Sequence, residues 1–445
     1  MKSHTVHVCR ECGTTSPRWA GRCSGCGQWN TLDEERTSVK PRVAASLATT
    51  SLADVGSESD ALLSTGVGEL DRVLGGGLMA GSTTLLFGEP GVGKSTLALM
   101  SLRALARSGQ DVLLIAAEES PSQVAQRARR LGEVPSGLNV IATTDVAAAE
   151  QLLRERRPAL CVIDSVSAMS DDALASVAGS VPQVRRCAER LCSAAKASDT
   201  ALILVGHVTK DGELAGPRTL EHLVDTVVRI EGDRHGSLRF IRAMKHRFGP
   251  TGEVGLLEMV HNGLRDLPDT AVLRGPQLDV PGVVFTVTND GSRSLLVEMQ
   301  ALVASSSGSP RRVAHQVSSQ RLSLLLAVLE ARCAVDTSAC DVFAATAGGL
   351  PANEPGVDVA LALAVASAAT NFTIPRTIAA MGEVGLAGEL RAISGLSRRV
   401  REAHRLGAST VIVPAQGELD EVAAVTVYRC QTLAEAIDAA QFKTY

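Results

Sequence analysis

Aromatic residues are scarce in this 445-residue chain, which has only seven Phe, two Trp and two Tyr. So few rings argue against an extended platform for stacking nucleic-acid bases. An excess of one charge is also missing, because 44 Lys and Arg are balanced by 48 Asp and Glu. Any contact with nucleic acid must therefore come from local patches.

Long apolar runs are absent as well. The longest, residues 359–369, is shorter than the roughly 20 helical residues that span a bilayer. Residues 1–13 are polar and lack the apolar core of a signal peptide. Four of the ten cysteines cluster near the start and the rest are scattered, which is typical of a reducing compartment. We therefore expect a cytoplasmic protein with no membrane partner.

The length suggests about three domains, and local composition divides the chain into four segments. Residues 1–32 are rich in Cys, and residues 33–61 are rich in Ser, Thr, Ala and charge, which predicts a linker. In residues 62–266 apolar strands alternate with helical stretches, which predicts an α/β fold with a doubly wound, mostly parallel sheet. Residues 267–445 form a separate α/β domain in this interpretation.

Specific strands can be placed inside these domains. In the first α/β domain the clearest are 111–116, 138–142, 159–164 and 200–206. Three further runs, at 226–231, 237–245 and 252–259, lack intervening helices and should extend the sheet in antiparallel fashion. In the last domain we predict strands at 283–287 and 294–303 and a helix at 318–332.

A phosphate-binding motif lies between an apolar strand and a helical stretch. The segment Gly-Glu-Pro-Gly-Val-Gly-Lys-Ser-Thr at 88–96 fits the P-loop pattern, in which backbone N–H groups surround phosphate oxygens. Lys94 should reach the β- and γ-phosphates of ATP, and the Ser95 hydroxyl should coordinate Mg²⁺. The predicted nucleotide-binding residues are Gly88, Glu89, Pro90, Gly91, Val92, Gly93, Lys94, Ser95 and Thr96.

Acidic residues follow two of the predicted strands. Asp164 ends an apolar strand and is suited to hold Mg²⁺ opposite Ser95, the alternative being a surface acid. Glu118 and Glu119 follow another strand, and one of them could deprotonate the attacking water. We assign Glu118 as this base and interpret Glu119 as a helix-capping or solvated acid.

The Cys-rich segment has metal-ligand spacing. Cys9 and Cys12, like Cys23 and Cys26, stand two residues apart, and four thiolates complete a tetrahedral structural zinc site. Disulfides are the alternative, which a reducing compartment disfavours. Both tryptophans of the chain, Trp19 and Trp29, lie in this segment. We interpret them as packing around the small core, with stacking on bases or on a partner as the alternative.

Together these motifs resemble the RecA-type ATPases, through residues 64–78, the P-loop, Glu-Glu-Ser at 118–120 and Val-Ile-Asp-Ser at 162–165. The zinc module narrows the resemblance to the RadA/Sms family of bacterial DNA repair proteins. The resemblance implies a hexameric ring, similar to helicases such as DnaB, that binds single-stranded and branched DNA and drives branch migration alongside RecA recombinase. It also implies that Glu118 is the catalytic glutamate and that His207 ends the strand carrying a γ-phosphate sensor.

The pentapeptide Lys-His-Arg-Phe-Gly at 245–249 resembles the family's Lys-Asn-Arg-Phe-Gly motif, with His246 in place of Asn. Lys245 and Arg247 are expected to reach the nucleotide of a neighbouring subunit as an arginine finger does, the alternative being a solvated charge pair. The predicted catalytic residues are Lys94, Glu118, Asp164, His207, Lys245 and Arg247.

The last domain resembles the proteolytic domain of Lon protease. Gly356 stands where Lon has its nucleophilic Ser, and Ser397 stands where Lon has its Lys, so we predict a domain without peptidase activity. In the family this domain helps to assemble the ring and contacts DNA. Arg398, Arg401 and Arg405 could meet phosphates, although a solvated helix face is the interpretation we favour.

Three other functions are consistent with parts of the sequence. A RecA-type core can serve as a signalling switch similar to the KaiC clock ATPases, which would hydrolyse ATP without stimulation by DNA. A peptidase is disfavoured by Gly356 and Ser397. A non-enzymatic adaptor would be expected to lose Lys94, Ser95 or Asp164, and all three are present.

Overall fold

The computed structural model describes residues 4–37, 62–207, 217–232, 236–267, 280–291, 293–347, 350, 352–420, 422 and 424–441. The chain forms two compact units, Met1–Asp266 and Leu267–Tyr445. Within the described residues, no helix combines the length and the apolar character needed to cross a bilayer.

The amino-terminal segment is a three-stranded antiparallel sheet in the order β2-β1-β3. Its strands are β1 (His4–Cys9), β2 (Thr15–Ser16) and β3 (Leu32–Thr37). The linker predicted to begin at residue 33 is wrong at its start, because residues 33–37 belong to β3 and pair with β1. Charged residues indicated a linker, but an edge strand tolerates charge since its backbone pairs with one neighbour only.

The first α/β fold is a nine-stranded sheet in the order β12-β11-β10-β9-β4-β8-β7-β5-β6. The predicted doubly wound sheet is confirmed. Its elements are α1 (Gly68–Val73), β4 (Thr83–Gly88), α2 (Lys94–Arg107), β5 (Val112–Ala116), α3 (Pro121–Arg130), β6 (Leu138–Ala142), α4 (Val146–Arg156), β7 (Leu160–Asp164), α5 (Val181–Ala197), β8 (Ala201–His207), α6 (Pro217–Leu220), β9 (Thr226–Glu231), β10 (Leu238–His246), β11 (Val254–Val260) and β12 (Gly263–Asp266).

Helices cover both faces of this sheet. One buried apolar cluster joins the sheet to α1, α2 and α3, and a second joins its other face to α4 and α5. Strand β4 is buried along its whole length, and β7 is buried except at its last residue. Strands that are buried on both faces read as continuous apolar runs. For this reason the sequence reveals them clearly.

Of the three runs predicted to extend the sheet in antiparallel fashion, two do so and one joins the sheet as a parallel strand. Strand β9 runs parallel to β4, which corrects the prediction for residues 226–231. The chain passes through α6 before β9, so β9 enters the sheet by a crossover, as the earlier strands do. Strands β10, β11 and β12 are antiparallel to their neighbours. Strand β12 escaped prediction because its four residues, Gly-Leu-Arg-Asp, show no apolar alternation.

The second unit is built on a mixed seven-stranded sheet in the order β15-β16-β14-β13-β17-β20-β21, with β18 and β19 paired beside it. The apolar run at 359–369 forms α8, whose residues from Asp358 to Ser367 are all buried. The elements are β13 (Val283–Asp290), β14 (Arg293–Ser305), β15 (Arg312–His315), α7 (Ser319–Cys333), β16 (Cys340–Thr346), α8 (Asp358–Thr370), β17 (Ile378–Ala380), β18 (Glu383–Val384), β19 (Leu390–Arg391), α9 (Leu396–Arg405), β20 (Thr410–Pro414), β21 (Thr426–Cys430) and α10 (Leu433–Gln441).

Candidate functional site

The phosphate-binding loop connects the end of β4 at Gly88 to the start of α2 at Lys94. Gly91 and Gly93 adopt left-handed backbone angles, with φ of 81° and 110°. The φ of Gly93 would strain any other residue, and a Cβ atom there would also lie 2.8 Å from the Cε of Met259, which would have to move. Gly93 has no side chain to cap α2, which leaves the first-turn N–H groups of the helix for an anion.

Lys94 lies inside this loop and is only 4% exposed. Its Nζ donates hydrogen bonds to the carbonyl oxygens of Gly88, at 2.8 Å, and Glu89, at 2.9 Å. Burial lowers the pKa of Lys94, and the nearby carboxylates of Asp164 and Glu118 oppose this shift. The lysine is thus held at the mouth of the loop beside both predicted acids.

The topology explains why Asp164 and Glu118 meet there. Strands β5 and β7 are adjacent and parallel, and Ala116 at the end of β5 pairs with Asp164 at the end of β7. Glu118 follows two residues after β5, at the same edge of the sheet. This is the edge at which parallel α/β sheets bind ligands, outside the carboxyl ends of their strands.

Two residues to which the sequence analysis gave no role contact the acids. The Ser165 hydroxyl donates a hydrogen bond to Oε1 of Glu118. Arg127, on α3, donates to Oε1 of Glu119, and its Nη1 lies 3.8 Å from Oδ2 of Asp164. Ser165 directly follows Asp164 in the sequence, which is a weak indication of a role at the site. Nothing in the sequence around Arg127 indicates such a role, because only the fold brings it to the site.

His207 is the last residue of β8, where it pairs with Gly88 at the first position of the P-loop. The backbone therefore places it beside the nucleotide loop. The structure does not describe its side chain. Its role as a sensor stays a prediction.

Lys245 and Arg247 lie at the other edge of the sheet. His246, between them, pairs with Thr226, which in turn pairs with Thr84 at the start of β4. Four residues of extended strand, about 13 Å at ~3.3 Å each, separate that position from Gly88. The structure therefore does not bring these two cations to the P-loop of their own chain.

Both cations are anchored to the turn that precedes β9. The Lys245 Nζ donates to the carbonyl oxygens of Glu221, at 2.6 Å, and Val224, at 2.7 Å. Arg247 is 55% exposed, and its Nη1 lies 3.1 Å from Oδ1 of Asp225. Lys245 is thus engaged with backbone, whereas the Arg247 guanidinium extends toward solvent from a carboxylate.

Asp225 is a buried carboxylate that sequence reasoning missed. Its Oδ2 accepts hydrogen bonds from Thr83, from the backbone N at 3.1 Å and from Oγ1 at 2.7 Å. Its Oδ1 faces Arg247 and, at 3.4 Å, the Nζ of Lys196. Burial opposes ionisation, but the bonds from Thr83 and the charge of Lys196 hold the pKa of Asp225 below its usual range. Its position directly before an apolar strand was the only feature of the sequence that could have indicated its role.

His246, the residue that departs from the family motif, is directed into the protein. Its Nδ1 lies 2.9 Å from the Thr226 hydroxyl, and its ring contacts Phe248 edge-on at 6.2 Å between centroids. Burial lowers the pKa of His246. The His246 side chain thus contacts Thr226 and Phe248 within the fold, whereas the Arg247 side chain is more than half exposed.

The four amino-terminal cysteines have the geometry of a metal site. Their sulfurs all lie within 4.8 Å of one another, with 3.7 Å between Cys9 and Cys26 and 3.5 Å between Cys12 and Cys23. A tetrahedron of Zn–S bonds of about 2.3 Å places its sulfurs about 3.8 Å apart, so these residues fit Zn²⁺. Hydrogen bonds from the backbone N–H groups of Cys26 and Gly25 lower the pKa of Cys23. A backbone hydrogen bond from Gln28 opposes the effect of burial and of the other cysteines, which raise the pKa of Cys26.

The two tryptophans do not pack in this small core, which corrects our interpretation. Trp19 is 58% exposed and Trp29 is 69% exposed. The buried core of the module consists of Cys9, Cys23 and Leu32, with Cys12 against it. Because the cysteines fill the centre, the larger indole rings stay outside.

In the second unit, a buried arginine occupies the space of the missing nucleophile. A Cβ atom on Gly356 would lie 2.9 Å from Nη1 of Arg399, which is 1% exposed. The Arg399 guanidinium donates to both carboxylate oxygens of Glu354, at 2.6 and 2.7 Å. The Ser397 hydroxyl accepts a hydrogen bond from the backbone N of Asp420, at 2.9 Å.

The basic face of α9 is already partly neutralised within the chain. Arg401 pairs with Asp420 at 2.9 Å, and Arg405 pairs with Glu402 at 2.6 Å. Arg398 is exposed. Such pairs are typical of a solvated helix face.

Three family models match successive parts of the chain: a rubredoxin metal binding domain over residues 7–34, an AAA domain over 57–213 and the Lon protease (S16) C-terminal proteolytic domain over 334–436. Among solved structures, the RadB recombinase is 26% identical and covers 46% of this chain and 100% of its own, with a TM-score of 0.38.

Curated relatives match over nearly the full length. The DNA repair protein RadA of Mycolicibacterium smegmatis is 44% identical and covers 93% of this chain and 92% of its own. RadA of Pseudomonas aeruginosa is 42% identical, with 98% and 99% covered, and RadA of Bacillus subtilis is 39% identical, with 93% of each chain covered.

The fold and the site define a P-loop ATPase that carries a four-cysteine zinc ribbon and a Lon-type carboxyl-terminal domain. The zinc is structural, because four thiolates close its coordination shell. With relatives of about 40% identity along its length, the chain belongs to the RadA family.

Proposed function

We propose that this protein is a DNA-dependent ATPase of recombinational DNA repair. It translocates on single-stranded DNA and drives branch migration of recombination intermediates together with RecA recombinase. The names of its relatives as DNA repair proteins support the process. The proposed motor mechanism is supported mainly by the positions of two sets of residues. Lys94, Glu118 and Asp164 lie at the carboxyl ends of the parallel strands, and Arg247 lies at the opposite ends.

At the carboxyl ends of the parallel strands, the residues of one subunit bind and activate the nucleotide. Lys94 would reach the β- and γ-phosphates in this proposal, and the first-turn N–H groups of α2, which no side chain caps, would bind the same phosphates. The Ser95 hydroxyl and the Asp164 carboxylate are oxygen donors of the kind that Mg²⁺ prefers, so these two residues would hold it. The bound cation would neutralise phosphate charge.

Glu118 serves as the general base for the attacking water. It lies at the same strand edge as Asp164 and is oriented by the Ser165 hydroxyl. Arg127 pairs with Glu119 and its Nη1 lies 3.8 Å from Oδ2 of Asp164, so it contacts the two acids other than the base. His207 borders the loop through its backbone and senses the γ-phosphate in this proposal.

At the amino edge, Arg247 completes the site of the next subunit. Its guanidinium is more than half exposed, and it lies too far from its own P-loop to act there. A head-to-tail arrangement of identical subunits closes into a ring when the rotation allows, and we propose the hexamer. An arginine supplied in this way stabilises transition-state charge and is worth 10³ to 10⁵ in turnover.

The carboxyl-terminal unit acts as a scaffold in this proposal and not as a peptidase. Gly356 supplies no nucleophile, and Arg399 occupies the neighbouring space. The Ser397 hydroxyl accepts a bond from the backbone and is no substitute for a lysine base.

The test is a branch-migration assay on a three-strand intermediate with RecA present. Wild type should extend the heteroduplex at the expense of ATP, and Lys94→Ala should not, because it cannot hold the phosphates. Arg156→Ala, which breaks an ion pair with Asp111 on the surface, is the matched control and should behave as wild type. Equal activity of Lys94→Ala and wild type would reject ATP-driven translocation. ATP turnover that single-stranded DNA does not stimulate would favour a signalling ATPase instead.

A further inference from the structure

The zinc module presents both tryptophans of the chain to solvent. Trp19 and Trp29 are 58% and 69% exposed, and they are the only large apolar side chains exposed in the described part of the module. Exposed indoles are costly to leave in water, and they are enriched where a protein contacts a partner. Their exposure therefore indicates a binding surface.

The two rings form one patch. A Cβ atom on Gly21 would lie 3.6 Å from Cζ3 of Trp29 and 3.9 Å from Cη2 of Trp19, so both indoles border the same backbone position. Arg22 and Trp29 are partners in an antiparallel bridge, which directs their side chains to the same face. We call Trp19, Gly21, Arg22 and Trp29 the indole patch.

The backbone around the patch is fixed. The Nε of Arg22 donates a hydrogen bond to the carbonyl of Gly27, at 2.9 Å. The N–H of Asn30 bonds to the carbonyl of Gly21, at 2.8 Å. The zinc ligands Cys23 and Cys26 lie in the same loop. A pre-ordered surface loses little conformational entropy when it binds.

The chemistry of the patch suits single-stranded nucleic acid. Indole faces stack on bases of any sequence, and guanidinium groups add attraction to phosphate and to the bases. Arg10, Arg18 and Arg22 are exposed on this module, and the Nε of Arg10 lies 3.9 Å from the Glu11 carboxylate. Indole and guanidinium groups also occur in protein interfaces, so a protein partner is one of the outcomes that the experiment distinguishes.

We propose that the indole patch binds single-stranded DNA by stacking one or two unpaired bases on Trp19 and Trp29. Paired bases are stacked on each other, so the patch discriminates against duplex. The inference rests on the proposed function, since it assigns to the zinc module a share of the contact with that DNA. A patch of two rings is consistent with the scarcity of aromatic residues in the chain.

Tryptophan fluorescence tests this directly, because the chain has no other tryptophan. The full-length, zinc-loaded protein is titrated with a thymidine homopolymer, which forms no secondary structure. Stacking should quench the emission and saturate with the binding curve. Trp19→Ala and Trp29→Ala should each weaken binding by about tenfold, whereas the Phe variants should keep most of the affinity.

Two controls separate stacking from damage. Leu386→Ala removes an apolar side chain that is 69% exposed, as Trp29 is, but lies in the second unit, and it should bind the oligonucleotide as wild type. The Ala variants should keep one zinc per chain, because neither indole is in the buried core.

Unchanged affinity of both Ala variants, or binding without a change in emission, would overturn the inference. Quenching by RecA protein but not by the oligonucleotide would show that the patch is a protein-docking surface, which also overturns it. Failure of the proposed function is a separate result, because wild type would then show no ATP turnover stimulated by single-stranded DNA.

Discussion

Glu118 and Glu119 are adjacent in sequence, but the structure gives them different surroundings. Glu119 is held by Arg127, whereas Glu118 accepts a bond from the Ser165 hydroxyl. A base must lie beside the phosphates, and Glu118 lies near Lys94 at the phosphate-binding loop, whereas Arg127 engages Glu119. The contacts therefore favour Glu118 as the catalytic residue.

We expect Glu118→Gln to bind ATP with nearly normal affinity and to hydrolyse it at least about 100-fold more slowly, since the amide cannot accept the proton. Nucleotide binding is measured by filter retention and turnover by phosphate release.

The matched control for that prediction is Glu119→Gln, one residue away and of the same size. It should retain at least about a third of wild-type turnover because Glu119 serves Arg127 and not water. Phosphate release at the wild-type rate from Glu118→Gln would contradict the assignment of the base.

At the residue scale, the sequence predicts what local spacing encodes. The P-loop and Asp164 are visible because their residue types recur at fixed distances along a strand, a loop and a helix. Arg127 and Asp225 are not visible, because their partners are set by the packing of separate elements. The exposure of Trp29 is equally invisible, since the number of side chains that a small core can hold depends on its fold.

Strands β4 and β9 connect the two edges of the ATPase sheet. Asp225 lies just before β9 and bonds to Thr83 at the start of β4, and β4 ends at the P-loop. The same carboxylate faces Arg247. One buried acid thus links the strand that leads to a subunit's own nucleotide to the arginine that we assign to the next.

We expect Asp225→Asn to reduce ATP turnover by about fivefold, because the amide keeps an acceptor for Thr83 but no longer attracts Arg247. Arg247→Ala should reduce turnover by about 10³ while nucleotide binding stays nearly intact. The comparison uses turnover and ATP affinity measured side by side.

Lys196→Ala removes the other cation on the same carboxylate and is the control, with turnover expected within about twofold of wild type.

The lowered pKa of Asp225 means that its ionised form stabilises the fold above about pH 4, the usual pKa of Asp, and that this contribution is lost as pH falls below it. The stability gap between wild type and Asp225→Asn should therefore narrow in acid. A loss of ATP affinity in Asp225→Asn, with turnover unchanged at saturation, would contradict a positioning role.

At the element scale, apolar strands were easy to predict and a charged edge strand was not. Strand β7, predicted at residues 159–164, is observed at Leu160–Asp164 and is buried. The partly exposed edge strand β6 was predicted with its observed bounds because its sequence is mostly apolar. Strand β3 was missed because a charged edge strand resembles a linker, and the direction of β9 was missed because a crossover cannot be read from its apolar pattern. Both errors concern how elements pair, which depends on residues far away in sequence.

Across the whole molecule, each of the two units has its own core, and the two units differ in which catalytic residues they keep. Residues 334–436 of the second unit match the proteolytic domain of Lon protease, but Arg399, whose guanidinium pairs with Glu354, lies 2.9 Å from where a Cβ atom on Gly356 would stand. The first unit keeps every P-loop residue while the arginine that we assign to catalysis faces outward. Such a chain is expected to work only as an assembly.

The most direct test of this account is a subunit-mixing experiment with Lys94→Ala and Arg247→Ala. Each variant alone should be inactive in ATP turnover. In rings co-purified from cells that express both at equal levels, turnover should recover to about a quarter of the wild-type value, because about one neighbouring pair in four joins an intact Lys94 to an intact Arg247. No recovery above the two separate variants would show that the site is completed within one subunit and would contradict the account.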